Sequence, residues 1–145
     1  MITAVGLAFA ISVATVLAEP ATTDETTIVN LLHGMFDKPA ETLVVEPIVV
    51  TGDHAVADWT QGQMGGRALL RRRQRQWSLI LCAGDGIKSS EALRTGGMPA
   101  DDAKVLETKL AAAEAKLSPE RVAMFSRFEG LVMMDDEDAE GQHHH

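Results

Sequence analysis

Cysteine is nearly absent from this sequence: Cys82 is the single one in 145 residues, and there is no tyrosine. One thiol cannot close an intramolecular disulfide and cannot form a CxxC redox pair, so packing must hold the fold. Basic residues are also few. Lys+Arg number 13 against 21 Asp+Glu, a net charge of −8, and an acidic surface repels phosphate, which excludes general nucleic-acid binding. A glycine-rich phosphate loop, paired catalytic carboxylates and a Ser/His/Asp pattern are missing too, so the expectation is a non-catalytic protein. Apolar residues are not scarce. At 46% of the chain they suffice for one domain with a real core.

Charge is absent from Ile2 to Leu17. This run reads as the apolar region of a signal peptide, ending in the small-residue cleavage pattern Val16-Leu17-Ala18. The preceding n-region carries no Lys or Arg. As a helix the run falls short of the roughly 30 Å hydrocarbon core, which favours cleavage over a retained anchor. The expectation is a signal peptide at 1–18, a mature N-terminus at Glu19, an exported protein in an oxidising or extracytoplasmic compartment and no stable membrane association after cleavage. A free thiol in that oxidising compartment must be buried, metal-bound or reactive.

The mature chain divides into one α+β domain, 19–130, and an acidic Met/His-containing tail, 131–145. Thr22-Thr23-Asp24-Glu25 forms a capping box, and Ile28, Leu31, Leu32 and Met35 follow as one helical stripe closed by Lys38-Pro39. A four-stranded antiparallel meander comes next, with turns at Gly52-Asp53, Gly62-Gln63 and Gln74-Arg75. Pro47 marks the first strand as an edge. Two-residue loops fix the register. Ile48, Val50, Ala55, Ala57, Trp59, Ala68, Leu70, Trp77, Leu79 and Leu81 share an apolar face, with Gly66 opposite Trp59. His54, Val56, Asp58, Arg67, Leu69, Arg71, Ser78, Ile80 and Cys82 share a mixed one. Short helices then start at Ser89-Ser90, Pro99 and Ser118-Pro119, the last running to Gly130. The first of these stops at Gly96-Gly97, and the one from Pro99 is the longer, with Leu106, Leu110, Ala113 and Leu117 on one side. The helices are expected to pack on the apolar face, giving by analogy a cystatin- or NTF2-like outline.

Three constellations could carry chemistry. In the tail, His143, His144 and His145 offer imidazole nitrogens to Cu, Ni or Zn, while Met133 and Met134 offer thioethers suited to Cu(I). The bland reading of such a run is a purification-tag remnant. On the mixed face, Asp58 lies opposite Arg67, and Arg67 opposite Cys82, where a guanidinium would favour thiolate. Asp58, Arg67 and Arg71 could instead form a partner-docking face, or Asp58 and Arg67 a plain cross-strand ion pair. Cys82, Met64 and His54 are candidates for a second metal site, though this register does not gather them.

The string Gly52-Asp53-His54-Ala55-Val56-Ala57-Asp58-Trp59-Thr60-Gln61-Gly62-Gln63-Met64-Gly65-Gly66-Arg67-Ala68-Leu69-Leu70 resembles bacterial copper uptake system-associated proteins. The likeness continues through Trp77 to Asp85 and in Phe125-Ser126-Arg127-Phe128-Glu129-Gly130. The resemblance implies a periplasmic accessory that binds or delivers copper and works with a copper chaperone or outer-membrane copper transporter system. It brings no catalytic residues. Two other readings remain: a docking module that binds no metal, and an NTF2-like small-molecule-binding or hydrolytic domain with polar groups in a deep apolar pocket.

Overall fold

The computed structural model describes residues 22–134 and the isolated positions 6 and 10. The expected cleavage site after Ala18 and the His143–His145 run lie outside the described residues. The elements are α1 (Thr23–Phe36), β1 (Leu43–Thr51), β2 (His54–Gln61), β3 (Met64–Arg73), β4 (Gln76–Ala83), a 3-10 turn (Asp85–Ile87), α2 (Ser90–Thr95), α3 (Ala100–Glu114), α4 (Pro119–Phe125) and β5 (Leu131–Met133). The strands form one antiparallel sheet in sequence order. Among the described residues, no helix is long and apolar enough to cross a membrane.

Local chemistry explains the connections. The Thr22 side chain accepts from the Glu25 amide at 3.2 Å, starting α1 as the capping box predicts. All three two-residue turns occur where expected, with φ of +58° at Gly52 and Gly62. The basic turn is the strained one, since Gln74 and Arg75 both have positive φ. The β2–β3 register pairs His54 with Arg71, Asp58 with Arg67 and Trp59 with Gly66, as predicted.

Helices cover both faces of the sheet. α1 lies on the apolar face, where Ile28 and Leu32 pack with Ala55, Ala57, Leu70, Trp77 and Leu79, and Trp59 joins the same cluster. Asp24 in its first turn accepts from Arg72 at 3.0 Å and from the Trp77 indole at 3.1 Å, fixing the helix to the sheet. The C-terminal helices take the mixed face instead of the apolar one. There Val49, Val56, Leu69 and Leu81 meet Leu93, Leu106 and Leu110, enough apolar area to bury both layers.

The structure revises the meander in four places. A fifth strand, β5, pairs with β4, so the sheet has five strands and not four. The folded body therefore runs past Gly130 to Met134, whose amide donates to the Ile80 carbonyl at 2.7 Å. α4 ends at Phe125, not at Gly130. A bulge leaves Ile80 without a partner between the pairs Leu69–Leu81 and Leu70–Leu79. One extra residue inverts the alternation beyond it. Leu81 joins the mixed face and Cys82 joins the apolar one.

Candidate functional site

Two constellations lie back to back across the sheet. The first is an ionic cluster around Arg67, which is fully buried with Asp58. The Arg67 Nε and Nη2 donate to the two oxygens of Glu114 on α3 at 2.7 and 3.0 Å. Its Nη1 donates to the Gly84 carbonyl and the Asp85 carboxylate, both at 3.1 Å, and to the Phe125 carbonyl at 3.4 Å. This satisfies the guanidinium and ties α3, α4 and the 3-10 turn to β3.

Asp58 stands 3.7 Å from the Arg67 Nε, yet neither of its oxygens has a donor in hydrogen-bonding geometry. A carboxylate there would be unsatisfied. Burial, and then the adjacent Glu114, push its pKa up to about 9, so the group is a neutral acid at neutral pH. Burial also works to raise Glu114, but the hydrogen bonds from Arg67 outweigh it and hold Glu114 below the usual range. The cluster is closed: α3 and α4 leave Asp58 and Arg67 no exposed surface. They form no docking face, and Arg71 lies apart, at the other end of β3, opposite His54.

The second constellation is a cavity of about 120 Å³ between α1, the sheet and the C-terminal segment. Leu32, Phe36, Trp59, Phe128 and Ala68 supply apolar walls, Gln61 is the polar member of the lining, and Cys82 and Met134 line it as well. Phe128 meets Trp59 edge to face, with centroids 5.9 Å apart. Glycine makes that approach possible: a Cβ at Gly66 would lie 2.8 Å from the Phe128 Cβ and 2.9 Å from the Trp59 ring. Burial pushes the Cys82 thiol up to about 11, so without a cation beside it the sulfur stays protonated at neutral pH. A thiol and a thioether in an apolar enclosure are soft donors, suited to a soft ion such as Cu(I).

The expected site residues are redistributed. Cys82 is not beside Arg67: Arg67 faces Ala83, and Cys82 pairs with Ala68. Cys82, Met64 and His54 are not gathered, as anticipated. His54 is buried at one end of the β2–β3 hairpin and Met64 is exposed at the other. The His54 Nε2 has no partner, and burial, then the charge of Arg71, hold its pKa below the usual value. Met133 sits on β5, half exposed at 50%. The nearness of Met134 to Cys82 escaped the sequence reading, because it depends on β5 and on the Ile80 bulge together. Among the described residues, no three His, Cys, Asp or Glu gather into a metal-holding group.

Fold and site together define an α+β protein whose five-stranded antiparallel sheet carries a mainly apolar cavity on one face and a buried ionic cluster on the other. Comparison with protein-family models, curated proteins and solved structures finds no match.

Proposed function

We propose that the protein is a non-catalytic copper-binding or copper-delivery accessory of the bacterial periplasm. One observation carries this reading: Cys82 and Met134 line the same apolar cavity, and thiolate with thioether is a donor pair that selects Cu(I) over harder ions. The resemblance of the Gly52–Leu70, Trp77–Asp85 and Phe125–Gly130 segments to copper uptake system-associated proteins supports it. These segments supply Trp59, Ala68, Cys82 and Phe128 to the cavity. The size of the space supports it too. About 120 Å³ admits an ion and its ligands but lies below the roughly 300–1,000 Å³ of small-molecule pockets. The tail imidazoles His143–His145 would hold Cu(II) separately, with a copper chaperone or transporter as the recipient.

The experiment is a titration of the mature chain from Glu19, in parallel with a version ending at Met134 and with Cys82→Ser. Truncation at Met134 spares β5, which a cut after Gly130 would remove. Cu(I) binding should survive the truncation and be lost in Cys82→Ser, while tight Cu(II) binding should be lost with the tail. Absence of stoichiometric copper binding in all three forms at neutral pH would overturn the reading in favour of a module that binds no metal.

A further inference from the structure

The outer wall of the cavity is a strap. Residues 126–134 leave α4 beside Arg67 and carry the chain round to the face holding Cys82. Along this strap only Phe128 and Met134 are partly buried, and every other position is exposed. Both inward side chains line the cavity. Fastenings lie at the two ends. Ser126 donates to Asp85 at 2.6 Å, and Arg127 to the Gln63 carbonyl at 2.6 Å. Met134 closes the far end on Ile80 at 2.7 Å, next to the three pairs of the β4–β5 ladder. Between them Gly130 has φ of +76° and open space around it. A segment with so few buried contacts opens at lower cost than the whole fold. Cys82, in contrast, is only 4% exposed.

Resting on the copper reading above, we propose that residues 126–134 are a hinged strap gating a Cu(I) site formed by the Cys82 and Met134 sulfurs. The metal enters only when the strap lifts, and once bound it staples the strap to β4, because one donor sits on each. The exchange balances simply. Cu(I) replaces the proton on the Cys82 sulfur, that proton leaves to solvent, the Met134 thioether donates a lone pair, and no electron is transferred.

The test follows the rate at which a maleimide reacts with Cys82 in the mature chain, alone and with Cu(I) buffered by a competing chelator. In the metal-free protein the thiol should react at least about 100-fold slower than in the urea-unfolded chain, since reaction waits on local opening. Ser126→Ala removes one fastening to a carboxylate and should speed the reaction about 10-fold with an unchanged circular dichroism spectrum. Cu(I) should slow the native protein further. Met134→Leu keeps the apolar packing but lacks the thioether, and should largely lose the Cu(I) protection, read as the ratio of its own rates with and without the metal. A native rate equal to that of the unfolded chain overturns the gate, as does a Ser126→Ala rate equal to wild type. Equal Cu(I) protection in Met134→Leu overturns the staple. Gated reactivity with no Cu(I) effect on any form leaves the strap standing and refutes the copper reading, and the proposed site with it.

Discussion

Arg67 on β3 grips both carboxylate oxygens of Glu114 on α3, at 2.7 and 3.0 Å, in a place with no solvent contact for the guanidinium. Removing Glu114 leaves the buried guanidinium with Asp85, largely solvent-exposed, as its one hydrogen-bonded carboxylate, and breaking a buried pair is costly. Glu114→Ala should therefore cost about 3–5 kcal/mol in urea unfolding. Glu114→Gln should cost less, because the amide keeps one oxygen to accept from Arg67. Equal losses for the two variants would show that the retained acceptor oxygen contributes nothing.

The Asp58 proton gives stability a pH dependence of definite sign. In the unfolded chain the carboxyl ionises near its ordinary 3.8, whereas in the fold it keeps its proton to about 9. Between those values the native state binds more protons, so unfolding free energy falls as pH rises across that window. Asp58→Asn, which cannot ionise, should flatten the decline. Melting temperatures at several pH values in both proteins test this, and parallel curves would count against it.

Gly66 is where the cavity wall is most sensitive to one methyl group. Gly66→Ala should displace Phe128 from Trp59 and destabilise the protein by about 1–3 kcal/mol, the usual cost of overpacking. A shift in Trp59 emission should accompany the loss. Unchanged stability with unchanged emission would show that the close approach of Phe128 is not required.

Much of the scaffold is legible in the sequence. Two-residue turns at Gly52-Asp53 and Gly62-Gln63 fix the β2–β3 register, and with it the facing pairs Asp58–Arg67 and Trp59–Gly66. Ser89 and Ser118 announce α2 and α4 by their capping oxygens. What escapes is non-local. An unpaired Ile80 has no turn residue to announce it, yet it decides which face receives Cys82. Leu131-Val132-Met133 is too short and too exposed to read as a strand before β4 is in place to pair with it. Asp58 and Arg67 look like a surface ion pair until Glu114, far along the chain, arrives to enclose them.

The central claim is that a thiol–thioether pair in an apolar cavity binds Cu(I), and proton release tests it most directly. Burial holds the Cys82 thiol at about 11, so at neutral pH each Cu(I) bound must displace a proton. Calorimetric titration of the chain from Glu19 with chelator-buffered Cu(I) in buffers of different ionisation enthalpy reads that proton. One Cu(I) and one released proton per chain are expected, with affinity rising about 10-fold per pH unit below the thiol pKa and the event lost in Cys82→Ser. Undiminished Cu(I) binding by Cys82→Ser, or binding with no proton released, would contradict it.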